Sequence, residues 1–94
     1  SLRLRADTLP LYAGALEAAE AGTRTGGDAR NRSHLEGRVD VGASPALAAV
    51  AFDPQTSGGL LAAVTPGDAD GLVADHGFTV VGDVAEGPAA VSLR

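Results

Sequence analysis

Ser1-Leu2-Arg3-Leu4-Arg5-Ala6-Asp7 alternates without a break: Leu2, Leu4 and Ala6 are apolar, while Arg3, Arg5 and Asp7 are charged. Successive side chains of a strand point to opposite faces, so this pattern predicts a half-buried strand over 2–6. Thr8-Leu9-Pro10 ends the alternation and an Ala/Glu/Leu-rich run to Ala21 comes next. There Leu11, Ala15, Leu16 and Ala19 share one face at helical spacing, and Gly22 sits where a left-handed cap belongs.

Farther along, Thr23 to Leu35 holds Gly26-Gly27 and a cluster of Arg, Asp, Asn and Ser with no apolar period, which predicts a loop. Val39 and Val41 predict a short extended piece. Ser44-Pro45 reads as an N-cap and first helical residue, opening a short helix through Ala46–Val50. Leu60 to Val64 is a continuous apolar run, the pattern of a strand buried on both faces. Thr65-Pro66-Gly67-Asp68 starts another helix, with Asp68 three residues after the Thr65 cap, a stripe of Ala69, Leu72 and Val73, and Gly77 as its end. Phe78 to Val84 predicts a strand, and Ala90 to Leu93 a last strand antiparallel to it across Glu86-Gly87. The order fits an α+β fold, layered in the manner of α/β proteins, with a mixed sheet and helices packed mainly on one face.

The 94 residues allow one small domain spanning 1–94. Apolar residues make up 45% of the chain, but many are alanine; Ile, Met and Trp are absent and the aromatics are Tyr12, Phe52 and Phe78. Burial free energy scales with apolar area, so the core is expected to rest on the leucines, the valines and the two phenylalanines, and to be marginal alone. The net charge is −5 and no basic block exists to neutralise a run of phosphates, which argues against nucleic-acid binding. No apolar stretch approaches the ~20 residues that span a bilayer, and no signal-peptide pattern opens the chain. Without Cys there is no disulfide, thiolate zinc site or cysteine nucleophile. A cytoplasmic location is the expectation. Ser1, with no initiator Met, is expected to be a cloning remnant.

Two segments carry polar chemistry. In Asp53-Pro54-Gln55-Thr56-Ser57-Gly58-Gly59, the hydroxyls of Thr56 and Ser57 are suited to donate to phosphate oxygens, Asp53 to hold a metal or an Arg, and Gly58 and Gly59 to admit a ligand or backbone closely. Judged on residue types alone, a loop leading into a strand, with hydroxyls capping local amides, is the stronger reading. In Gly26–Asn31 the paired glycines suit an anion and Arg30 and Arg32 suit bidentate phosphate pairing; a solvated surface loop is the competing reading. His76 beside Gly77 reads as a partner of a helix C-terminus, and His34 as solvated; two such histidines do not make a zinc site.

The run Asp53-Pro54-Gln55-Thr56-Ser57-Gly58-Gly59-Leu60-Leu61 resembles the C-terminal signature of the selenophosphate synthetases, uninterrupted over nine residues. Leu9-Pro10-Leu11 with Gly14-Ala15-Leu16, Gly26-Gly27-Asp28-Ala29-Arg30-Asn31 and Val81-Gly82-Asp83-Val84 resemble further segments of that family, in the family's order. Asp28 departs from it, placing a negative charge where the family has the neutral hydroxyl of Thr.

The resemblance implies a C-terminal domain fragment, cut on its N-terminal side, of an aminoimidazole ribonucleotide synthetase-like enzyme. Such an enzyme uses ATP and Mg²⁺ to make selenophosphate from selenide, releasing AMP and phosphate. The family's Cys or selenocysteine, its Lys and its metal-binding Asp residues lie upstream; this chain has no Cys and no Lys. The fragment is therefore expected to be inactive, to bind no cofactor or metal itself, and to partner the N-terminal ATP-binding domain of its parent. Thr56, Ser57, Gly58, Gly59, Arg30 and Asn31 are the cleft-facing candidates the resemblance implies. Self-association of the isolated fragment is expected, distinct from the family's dimer through the N-terminal domain. The alternative is a stand-alone, non-catalytic binding or regulatory module.

Overall fold

The computed structural model describes all 94 residues except Thr56. The elements are β1 (Leu2–Leu4), a 3-10 turn (Ala6–Thr8), α1 (Ala15–Glu20), α2 (Asp28–His34), β2 (Val39–Val41), α3 (Pro45–Phe52), α4 (Pro66–His76), β3 (Gly82–Val84) and β4 (Val91–Leu93). The sheet order is β2-β4-β1-β3, with β4 parallel to both β1 and β2, and β3 antiparallel to β1. This is the expected α+β fold with a mixed sheet.

The alternation at the chain start sets the two faces of this sheet. Leu2 and Leu4 stand in register with Val91 and Leu93, which pair in turn with Val39 and Val41. The intervening row is Asp40, Ser92, Arg3 and Asp83. On that polar face Arg3 Nη2 meets Asp83 Oδ2 at 2.7 Å, and Arg94 pairs with Asp40. Hydrogen bonding to the Arg94 guanidinium holds the Asp40 carboxyl below its usual range. Both pairs are exposed, so they favour register more than they add stability.

The apolar face receives α3 and the 3-10 turn. Ala6, Ala48 and Leu93 are buried together, flanked by Leu4, Val39, Ala43 and Leu47. α3 also packs on α1 and α2, where Ala19, Ala49 and Phe52 are buried. Four of the six buried apolar residues are alanine, so the expectation of a leucine–valine–phenylalanine core is corrected. Small side chains let α3 lie close to α1 and to the turn, and Phe78 reaches only partial burial.

Local signals explain the helix ends. Gly22 is left-handed (φ +91°), and Thr23 N–H bonds Ala18 O while Gly22 N–H bonds Ala19 O, the paired bonds of a Schellman cap. Ser44 Oγ accepts from Leu47 N–H ahead of Pro45. Thr65 Oγ1 accepts from Asp68 N–H and donates to Asp68 Oδ2 at 2.7 Å. Replacing Thr65 with Ala is expected to cost about 1 kcal/mol, read as faster amide exchange in the first turn of α4.

Several expectations need correction. β1 stops at Leu4, because the backbone turns through Ala6–Thr8. α1 begins only at Ala15, because Gly14 before it is left-handed (φ +84°). The predicted loop 23–35 contains α2, held by an ion pair from Asp28 to Arg32 one turn on and by contacts with α3. Leu60–Val64 forms no strand; it lacks a pairing partner among the described residues, and Leu60 is 80% exposed. In α4, Val73 is exposed and no residue is buried. Only Gly82–Val84 of the predicted 78–84 strand pairs, and β1 lies between it and β4, so the two run oppositely without being neighbours. Among the described residues no helix is long and apolar enough to cross a membrane.

Candidate functional site

The two polar segments singled out in the sequence meet at the C-terminal end of α3. Phe52 is the last residue of that helix, and its carbonyl accepts from Asn31 Nδ2 at 2.8 Å. Helix-end carbonyls have no partner within the helix, so this bond satisfies one of them. Asp53 leaves the helix in an extended conformation, and its Oδ1 accepts from Thr25 Oγ1 at 2.8 Å. Pro54 lies against Gly27 so closely that a Cβ at Gly27 would overlap Pro54 Cγ. Gly27 thus provides room for the chain leaving α3.

Asp28 and Arg32 stand beside this junction. Arg32 Nε donates to Asp28 Oδ2 at 2.9 Å, and its guanidinium carbon lies 4.6 Å from the centre of the Phe52 ring. The negative charge at position 28 is therefore matched within its own helix. Asp28 is buried, and its other oxygen, Oδ1, has no protein partner. Next to it runs a groove of about 240 Å³ with Ala15, Ala19 and Val50 among its apolar lining residues and Thr25, Asp53 and Gln55 among its polar ones.

Among the cleft-facing candidates, Arg30 is exposed on α2, and Asn31 is half-buried with its amide committed to the Phe52 carbonyl. Ser57, Gly58 and Gly59 are exposed beyond the junction. A Cβ at Gly58 would meet the Gln55 side chain, Oε1 at 2.9 Å and Cβ at 3.2 Å, and one at Gly59 would meet open space. Thr56 lies outside the described residues. Arg32 turns to Asp28 and Phe52 rather than outward with Arg30. Among the described residues no cluster of three or more His, Cys, Asp or Glu side chains is arranged to hold a metal.

The sequence reading missed Thr25 and the helical state of α2. A usable signal was present: Asp28 in the first turn with Arg32 and His34 in the last matches the helix dipole, and Asp28 and Arg32 are four residues apart.

No protein-family model and no solved structure matches the chain. Curated proteins do. A selenide, water dikinase of Pelobacter propionicus is 44% identical over 95 residues, 93% of this chain and 27% of the relative. One of Nitratidesulfovibrio vulgaris is 47% identical over 64 residues, 66% of this chain and 18% of the relative. One of Burkholderia cenocepacia is 36% identical over 99 residues, 97% of this chain and 28% of the relative. The chain thus spans about a quarter of the length of such relatives. By its sequence it belongs with the C-terminal part of the selenide, water dikinase family.

Proposed function

We propose that this chain is the C-terminal domain portion of an enzyme that makes selenophosphate from selenide and ATP, and that it has no activity by itself. The observation that carries the reading is the uninterrupted run Asp53–Leu61, set beside the second family-like segment by the Thr25, Gly27 and Asn31 contacts. Similarity to selenide, water dikinases over nearly the whole chain supports it. The chain has no Lys, no Cys and, among the described residues, no carboxylate cluster that would take Mg²⁺. ATP and Mg²⁺ are therefore assigned to the remainder of the parent enzyme, and this chain supplies polar groups to the cleft. Its part is to present Ser57, Gly58, Gly59, Arg30 and the adjoining Thr56 to the cleft facing an N-terminal ATP-binding domain. The exposed apolar run Leu60–Val64 is covered by the rest of the parent, and in isolation it drives self-association.

Selenide-dependent AMP formation tests this directly. The full-length protein is expected to produce AMP from ATP only when selenide is present, and the isolated 94-residue chain is expected to produce none above a blank. Activity of the isolated chain, or inactivity of the full-length protein, would remove the reading. In the full-length protein the double change Thr56→Val and Ser57→Ala is expected to lower turnover about tenfold or more, the scale of losing well-placed donors, with little change in melting temperature. A lower melting temperature at unchanged turnover would return this loop to a purely structural role.

A further inference from the structure

We propose that Thr25, Gly27 and Asn31 form a positioning clamp that sets the path of the Asp53–Gly59 loop, and so where Ser57 and the paired glycines stand during turnover. The inference rests on the reading that this loop faces the reaction cleft. Its evidence is the pattern of contacts: three consecutive residues, each held from one short stretch. Phe52 is held through its carbonyl by Asn31, Asp53 through its carboxylate by Thr25, and Pro54 by close contact with Gly27. The bond to Asp53 has an ionised acceptor, which makes it stronger than a neutral one. Pro54 has a fixed φ, so its placement carries the direction of the chain into Gln55 and the rest of the loop.

Beyond these three points the described residues of the loop are exposed. The direction in which the loop leaves α3 is therefore decided at positions 52–54. Placement of this kind matters to a reaction, because a misplacement of ~1 Å can cost about a hundredfold in rate. Thr25, Gly27 and Asn31 are positioning residues in this scheme: they act through the loop. The Asp28–Arg32 pair and the stacking of Arg32 on Phe52 keep α2 seated so that the clamp has a fixed base.

The test uses the full-length protein. Thr25 is exposed, so Thr25→Val removes the donor with little change of shape and little risk to folding, while Thr25→Ser keeps the hydroxyl. Thr25→Val is expected to lower kcat for selenide-dependent AMP formation about tenfold, with the KM for ATP unchanged, and Thr25→Ser to recover to within about twofold. Amide exchange at Asp53, whose N–H bonds Val50 O, is expected to be about tenfold faster in Thr25→Val and unchanged in Thr25→Ser. Unaltered exchange and kcat in Thr25→Val, or losses that Thr25→Ser fails to recover, would overturn the clamp. If the wild-type protein makes no AMP, the parent reading fails, and the exchange measurement alone then decides whether the clamp holds the loop.

Discussion

Replacing Gly82 with Ala is expected to destabilise the protein by about 3 kcal/mol or more, enough to leave a small domain largely unfolded. Gly82 pairs with Leu4 across the β1–β3 ladder. A Cβ at that position would overlap the Arg3 carbonyl oxygen and stand 3.0 Å from Arg3 C and 3.1 Å from Leu4 Cα. All three atoms are backbone of β1, which is paired on both sides and cannot move aside as a long side chain would. Separating β3 from β1 is the remaining way to relieve the overlap. It would cost the Arg5 N–H to Val81 O bond as well as the ladder. Gly71→Ala is the matched control. Gly71 lies inside α4 with open space where a Cβ would go, so the change is expected to stabilise by about 0.5–1 kcal/mol. Thermal melting of both variants monitored by circular dichroism checks the pair; equal melting points would mean that the β1–β3 spacing accommodates a side chain.

Features governed by neighbouring residues were legible in the sequence. The alternation of Leu2 to Asp7 specifies a strand with one polar face, and Arg3 indeed meets Asp83 on that face. Gly22, Ser44, Thr65 and Gly77 terminate or start helices by chemistry confined to one turn, so their roles could be read without the fold. Features that need a distant partner were not legible. An apolar run such as Leu60–Val64 states a need for burial and says nothing of what supplies it. The final strand pairs with β1, from the other end of the chain, instead of with its sequence neighbour β3. No local rule distinguishes these two pairings.

The site divides in the same way. Gly26–Asn31 and Asp53–Gly59 stood out separately by residue type and resemblance, but nothing in either says that Asn31 caps the helix ending at Phe52. α2 carries no apolar stripe because one turn of it is held by an Asp28–Arg32 pair and its seat on Phe52 is a cation over a ring. Alanine misled for a related reason. Its small buried area makes it a poor core residue one at a time, yet at Ala19, Ala48 and Ala49 it is what allows α3 to approach its neighbours.

In isolation the chain is expected to run as a dimer or larger species in light scattering at micromolar concentration, and Leu60→Glu with Leu61→Glu to run as a monomer. By sequence, two apolar segments suit this adhesion, Leu2–Ala6 and Leu60–Val64. β1 drops out because β4 and β3 occupy both of its edges. Leu60, Leu61 and Val64 are 80%, 59% and 46% exposed and lie within five consecutive apolar residues. Such a run is apolar, uncharged and free of Pro, which makes pairing with a second copy favourable. The sheet edges themselves are less adhesive, since β2 and β3 are three residues long and each carries an Asp at its centre. Two glutamates in the run would set like charges against each other in any paired form while replacing side chains that are mostly exposed in the monomer. The double variant should therefore keep the melting temperature of the folded chain and lose only its association. A wild-type chain that is a monodisperse monomer with a cooperative melt would show that 60–64 is not adhesive, and would favour a stand-alone module over a segment whose apolar run is covered by the rest of a larger enzyme.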